Sequence, residues 1–209
     1  MKRVLVIALA LVSCFAAKAQ LPTIRPISVY KVPNISYTTY MGMSPSQVPD
    51  DYALFWEFYN NFPPTASNVV ASSSLSPQGS NTYGVKNLYD CNHETAWVEG
   101  VSGYGVGQWI EYQRVEETEI TRIKILNGYV KSDKAWSENA RVKRLGVTCN
   151  GKPLCILELQ NSRSLQSFNV ENLLDKYSVK TFRFEILEVY PGTKYQDTVI
   201  SEIFFNCDY

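Results

Sequence analysis

The chain has 209 residues with 20 basic and 20 acidic side chains and a single histidine, His93. Balanced charge leaves no electrostatic footprint for nucleic acid. One histidine leaves His93 as the sole imidazole for any Ser-His or Cys-His nucleophile.

The first residues read as an export signal. Lys2 and Arg3 precede an apolar run, Val4–Val12, that is too short to span a bilayer. Two processing sites compete: Ala17-Lys18-Ala19 before Gln20 has the A-x-A form, and Leu11-Val12-Ser13-Cys14 resembles a bacterial lipoprotein box that would place lipid on Cys14. Removing residues 1–19 takes away Lys2, Arg3 and Lys18, so 17 basic residues face 20 acidic ones. No later apolar run is long enough for a membrane helix. The expected address is periplasmic, outer-membrane-associated or secreted.

Residues 20–67 form an expected leader. Prolines at 22, 26, 33, 45 and 49 oppose regular helix and weaken strands. Asp51–Asn60 carries Leu54, Phe55 and Phe58 at helical spacing after an acidic start, which predicts a short helix ended by Pro63-Pro64. From residue 68 to 209 the texture changes to short runs between turn residues. Val69–Leu75, Gln108–Gln113, Ile120–Leu126, Val142–Thr148, Leu154–Leu159, Ser167–Val170, Val179–Val189 and Val199–Phe205 read as strands, with a helical turn over Thr82–Tyr89. In Val179–Val189, Phe182, Phe184 and Ile186 alternate with Arg183 and Glu185, the mark of a half-buried strand. The predicted class is all-β, an antiparallel β-sandwich.

Ile123–Lys143 interrupts this rhythm with Asn127, Tyr129, Lys131, Trp136 and Asn139 between two apolar-alternating runs, and reads as strand, long loop, strand. Binding residues concentrate on such loops when a rigid scaffold carries them. Four cysteines follow the signal. Cys149 and Cys155 would face each other if Gly151–Pro153 were a three-residue hairpin loop, and would miss each other if Asn150-Gly151 were a two-residue turn. Cys91 and Cys207 are then the remaining pair.

Catalytic signatures are missing. There is no G-x-S-x-G elbow, no H-E-x-x-H and no C-x-x-C spacing. Gly103, Gly105 and Gly107 precede a strand, whereas a dinucleotide loop follows one. No carboxylate pair stands out for glycoside hydrolysis.

The segments LYDCNHETAWVEG, GYGVGQWIEY, NGYVKSDKAWSENARVK, VYPGTKYQDT and ISEIFF together resemble the discoidin-like, galactose-binding-like domain, in particular the NADase-type glycan-binding module of secreted bacterial proteins. The resemblance covers about residues 68–206. It implies a jelly-roll sandwich with binding loops at one end. It does not imply NAD hydrolysis, which in that family belongs to a separate catalytic domain. Where the family loop reads Asp-Gly-Asn, this chain reads Asp90-Cys91-Asn92, a departure that bears on local geometry and on a Cys91–Cys207 bridge. The resemblance further implies a structural calcium at Asp90, Asn92, Thr95 and Glu202, all oxygen donors as calcium requires.

For glycan, stacking aromatics and oriented polar groups are the requirement. Trp97, Glu99, Tyr129, Lys131, Trp136, Asn139 and Tyr195 supply them in the end-loop segments. Trp97 fits the core better than a platform, Trp136 is the best candidate for an exposed ring, and Asn127-Gly128 shapes the loop. The expected function is non-catalytic binding of a glycan or glycoprotein. The alternative is an envelope assembly module that grips another protein with the same loops and the leader.

Overall fold

The computed structural model describes residues 21–34, 36, 38–39, 42–47, 66–115, 120–174 and 180–206. Its strands are β1 (Thr23–Ile24), β2 (Ser28–Lys31), β3 (Ala66–Ala71), β4 (Trp97–Val98), β5 (Trp109–Val115), β6 (Arg122–Asn127), β7 (Ala140–Cys149), β8 (Lys152–Glu158), β9 (Ser164–Asn169), β10 (Lys180–Tyr190) and β11 (Thr198–Asn206). One layer runs β2-β9-β6-β11 and the other β8-β7-β10-β5-β3, with β4 added to β11 and β1 to β8. The two join where Thr198 and Val199 of β11 pair in parallel with Ala140 and Arg141 of β7. The result is a β-sandwich whose strands form one continuous 11-stranded sheet.

Strand alternation puts the core between the layers. Along β10, Phe182, Phe184 and Ile186 point inward while Arg183 and Glu185 point out. They meet Tyr112 of β5 and Phe205 of β11, with the Phe182 and Phe205 ring centroids 4.8 Å apart and Tyr112 edge-on to Phe205 at 5.2 Å. Each such fully buried aromatic contributes about 1.5–3 kcal/mol of transfer free energy. On β6 both faces are buried. Ile123 and Ile125 enter the main core, whereas Leu126 joins a second cluster with Val32, Val130, Leu165 and Phe204.

That second cluster corrects the reading of the leader. Where described, the leader is part of the sandwich: β1 extends β8 in parallel, β2 extends β9 antiparallel, and Val32 is fully buried. Arg163 fastens this segment, bonding Asn34 Oδ1 at 2.7 Å and the carbonyl of Val130 at 3.0 Å. The helix expected over Asp51–Asn60, the signal segment with Cys14, and Cys207 lie outside the described residues.

The β7–β8 hairpin decides the cysteine question. Asn150 (φ 49°) and Gly151 (φ 75°) form a two-residue turn of the kind that matches strand twist. Cys149 therefore pairs with Lys152 and Cys155 with Val147, so the proposed Cys149–Cys155 bridge is excluded and both are thiols. Burial pushes the Cys155 thiol up to about 12. Cys91 is likewise a thiol here, pushed up to about 11 by burial and by the carboxylates of Glu202 and Asp90. It takes φ 57°, the positive value that the Asp-Gly-Asn form of the loop would serve with glycine.

Among the described residues, no helix is long and apolar enough to cross a membrane.

Candidate functional site

The excursion between β6 and β7 is organised by Asn127. Its buried side chain donates to the carbonyl of Val142 at 2.7 Å and accepts from the Val142 amide at 3.1 Å, imitating a strand neighbour and pinning both ends of the loop. Gly128 follows at φ 85°, where a Cβ would stand 2.8 Å from the Trp136 ring.

The loop then forms a helix, Asp133–Glu138, that the polar sequence had hidden. Ser132 caps it, its hydroxyl accepting from the Ala135 amide at 3.1 Å. Its half-buried Trp136 is not the exposed platform expected. The indole N–H donates to the carbonyl of Asn127 at 3.1 Å, and the Arg141 guanidinium lies 4.0 Å from the ring centroid. Trp136 is a rivet that ties the helix to β6.

The end of the helix is held by the β10–β11 loop. Carbonyls in a last turn lack intrahelical donors. Here the amides of Thr193, Lys194 and Tyr195 supply them, reaching Ser137 O at 3.0 Å and Glu138 O at 3.1 and 2.8 Å. Gly192 makes the approach possible, because a Cβ there would be 2.4 Å from Glu138 O.

Helix and loop together form one wall of a cleft of about 290 Å³, with Ala135, Glu138, Asn139, Tyr195 and Asp197. Leu75, Gln78, Tyr83, Val98 and Tyr129 line the rest of it. Tyr129 is half-buried, packed against a cluster of Tyr83, Ala96, Val98 and Val199. Burial raises its phenol above the ordinary tyrosine value, with further contributions from Tyr83 and Glu94. Tyr195 is 41% exposed, with the Lys194 ammonium 4.7 Å from its ring centroid.

Of the residues expected to touch ligand, the fold brings Tyr129, Asn139 and Tyr195 together in this cleft. Lys131 is exposed but does not line it. Trp97 is fully buried, its indole donating to Ser73 O at 3.0 Å, and belongs to the core. Glu99 is also fully buried, which corrects its reading as a contact. It accepts from the amides of Val101 at 2.8 Å and Thr198 at 3.3 Å, clamping the glycine-containing loop before β5 to β11. Burial raises its carboxyl, and these two amides pull it back. Sequence reasoning missed Leu75, Gln78, Tyr83, Ala135, Glu138 and Asp197. Glu138 and Asp197 stood in the quoted segments, but nothing local distinguishes them from solvated charges.

Asp90, Asn92, Thr95 and Glu202 do converge. The Thr95 hydroxyl donates to Asp90 Oδ2 at 2.7 Å, the Asn92 amide reaches Glu202 Oε1 at 2.9 Å, and Asn92 Oδ1 accepts from the Glu94 amide at 3.0 Å. The Asn92 amide also reaches Asp90 Oδ1 at 3.0 Å, so both carboxylates flank one backbone N–H. Although Asp90 is exposed on its outer side, desolvation raises its carboxyl, and the Thr95 and Asn92 bonds offset part of that rise. The all-oxygen donor set fits a hard cation. Among the described residues, no group of three or more His, Cys, Asp or Glu is assembled. His93 is 1% exposed and does not line the cleft.

Residues 59–206 match the family model described as the NAD glycohydrolase translocation F5/8 type C domain. The chain belongs to that family. Its fold recurs in the structure of the carbohydrate-binding modules CBM32-1 and CBM32-2 and the catalytic domain of Clostridium perfringens ZmpB, with TM-score 0.53 and 11% identity over 92% of this chain and 17% of that one. The family 32 carbohydrate-binding module of C. perfringens NanJ in complex with galactose gives TM-score 0.47 and 12% identity over 66% of this chain and 91% of that one. The lectin domain of lectinolysin complexed with Lewis B antigen gives TM-score 0.46 and 10% identity, over 72% and 98%. Among curated protein sequences, none matches. The resemblance read from the sequence and the all-β sandwich are both upheld.

Proposed function

We propose that the chain is an exported, non-catalytic glycan-binding domain and that sugar occupies the cleft between Tyr129, the helix end and Tyr195. The observation that carries this reading is the lining itself. Tyrosine rings offer faces for sugar C–H groups, while Gln78, Glu138, Asn139 and Asp197 offer oriented polar groups. A volume of about 290 Å³ lies at the lower end of the roughly 300–1,000 Å³ typical of ligand pockets. That suits one terminal sugar ring better than a long chain.

The non-catalytic reading rests on chemistry. The single imidazole is enclosed in the protein, and Glu138 and Asp197 are read as hydrogen-bond acceptors for sugar hydroxyls. Residues 21–34 are engaged in the sheet, so the alternative, an envelope assembly module, would grip its partner with the same loops. A cation such as calcium at the Asp90–Glu202 pair, with Thr95 and Asn92 beside it, is part of the same proposal. It would tie the Asp90–Thr95 loop to the middle of β11.

A glycan array with the exported chain tests the reading, with Tyr195→Ala as the informative variant because its ring is exposed and its loss spares the core. Binding should fall about tenfold or more. If the natively folded wild-type chain binds no glycan, the reading fails.

A further inference from the structure

We infer that Glu138 and Asp197 make the cleft selective for neutral and amino sugars and against sugar acids. The inference rests on the glycan-binding reading above and adds the chemical class of ligand.

Among the described residues, the lining holds two carboxylates and no lysine, arginine or histidine. A carboxylate only accepts hydrogen bonds, and its two oxygens can take the two hydroxyls of a vicinal diol or the ammonium of an amino sugar. A uronate or sialate would instead bring a third acceptor-only group into a concave site that already holds two. Like charges about 4 Å apart near a protein surface repel strongly enough to cost at least about tenfold in affinity.

The neighbouring charges deepen this bias. Buried Glu99 is close enough to Asp197 to feel its charge, and Glu94 acts in the same way on Tyr129. Lys194 is an exposed cation beside Tyr195. Its ammonium is held above the ordinary lysine range first by a hydrogen bond to Tyr195 and also by Glu138. It lies over the Tyr195 ring at 4.7 Å and is absent from the lining. A site built to take a sugar carboxylate would present a guanidinium fork or an unengaged ammonium; this lining presents neither.

Glu138 and Asp197 are placed to act together. Glu138 ends the short helix, and its carbonyl takes the amides of Lys194 and Tyr195. Asp197 ends the same loop, with its own carbonyl accepting from Ala140 at 3.0 Å. Their backbones are thus fixed to each other before a sugar arrives.

The test is an array of glycans sharing one core and ending in a neutral hexose, an amino sugar, a uronate or a sialate. It is probed with the wild type, with the Glu138→Gln, Asp197→Asn double variant, and with Tyr195→Ala. The wild type should bind neutral or amino-sugar termini at least about tenfold more strongly than the acid termini. In the double variant that ratio should collapse toward one, and amino-sugar binding should fall. Tyr195→Ala should weaken every class alike and leave the ratio unchanged. Equal or stronger wild-type binding to acid termini, or a ratio untouched in the double variant, overturns the selectivity while leaving the glycan reading in place. Silence toward every glycan, with a native NMR spectrum, overturns both.

Discussion

Gly192→Ala should be among the most damaging single-methyl changes near the cleft. An added Cβ would stand 2.4 Å from Glu138 O, 2.5 Å from Asn139 C and 2.7 Å from Tyr195 O. All three are backbone atoms, so no side chain can swing aside. To reach ordinary contact the loop must lift by about an ångström, enough to spoil the bonds from Thr193 and Lys194 at 3.0 and 3.1 Å and from Tyr195 at 2.8 Å. Each such bond contributes about 1 kcal/mol net, and overpacking at well-packed positions costs about 1–3 kcal/mol. Partial relief of one by the other gives an expected loss of about 2–4 kcal/mol. A six-residue helix is too short to persist without its end contacts, so sugar affinity should fall with stability. Urea denaturation measures the first and sugar titration the second. Gly79→Ala is the control: it also disturbs a turn glycine, at φ 60°, but nothing lies within 4 Å, so only the left-handed strain of about 1–2 kcal/mol remains. If Gly192→Ala unfolds at the wild-type urea concentration and binds sugar as well, the coupling of helix end to loop is refuted.

Trp136→Ala should lower stability by about 2–4 kcal/mol, since it removes a half-buried indole together with its bond to Asn127 and its stacking on Arg141. A binding defect with unchanged denaturation would restore it as a platform. Glu99 gives a pH signature. Its folded carboxyl sits above the reference of 4.5, so over that window the folded state holds more protons than the unfolded one and stability falls as pH rises. The advantage of the wild type over Glu99→Gln in denaturant titrations should therefore shrink as pH climbs from about 4.5; a growing advantage contradicts the burial account. Calcium, if held at Asp90 and Glu202, should raise the melting temperature in a concentration-dependent way that magnesium does not match and Asp90→Asn abolishes. No shift at millimolar calcium removes the cation from the proposal.

The sandwich was legible because period-two alternation survives wherever one strand face is buried, as in Phe182, Phe184 and Ile186. Asn150-Gly151 was legible as a possible hairpin turn, but only the register shows which cysteine faces which neighbour. The leader was not legible. Strands of two and four residues, broken by Pro26, carry too little periodicity to register, and their burial comes from partners far along the chain. Trp136 misled for a related reason. Lys134 and Ser137 beside it read as solvent-facing, yet a helix turns a residue's first and second neighbours to other faces, and the cover comes from Arg141 on the next strand.

The cleft was half legible, and the missing half follows from how it is built. Its walls come from separate stretches around residues 75–83, 98, 129–139 and 195–197, which only the β11 crossover between layers brings together. Local sequence can mark a tyrosine as unusual, but it cannot say that Glu138 and Asp197 share a wall. The residues that sequence reasoning took for contacts and the structure removes share a role: Glu99 clamps the loop before β5, and Trp136 rivets the helix to β6. Both hold backbone in place without ligand. A sugar is a small ligand with few strong contacts, and rigid walls spare it the ordering cost that would otherwise consume its binding free energy. The conspicuous polar and aromatic residues of these loops are thus split between supports and contacts, and their bonds to the backbone tell them apart.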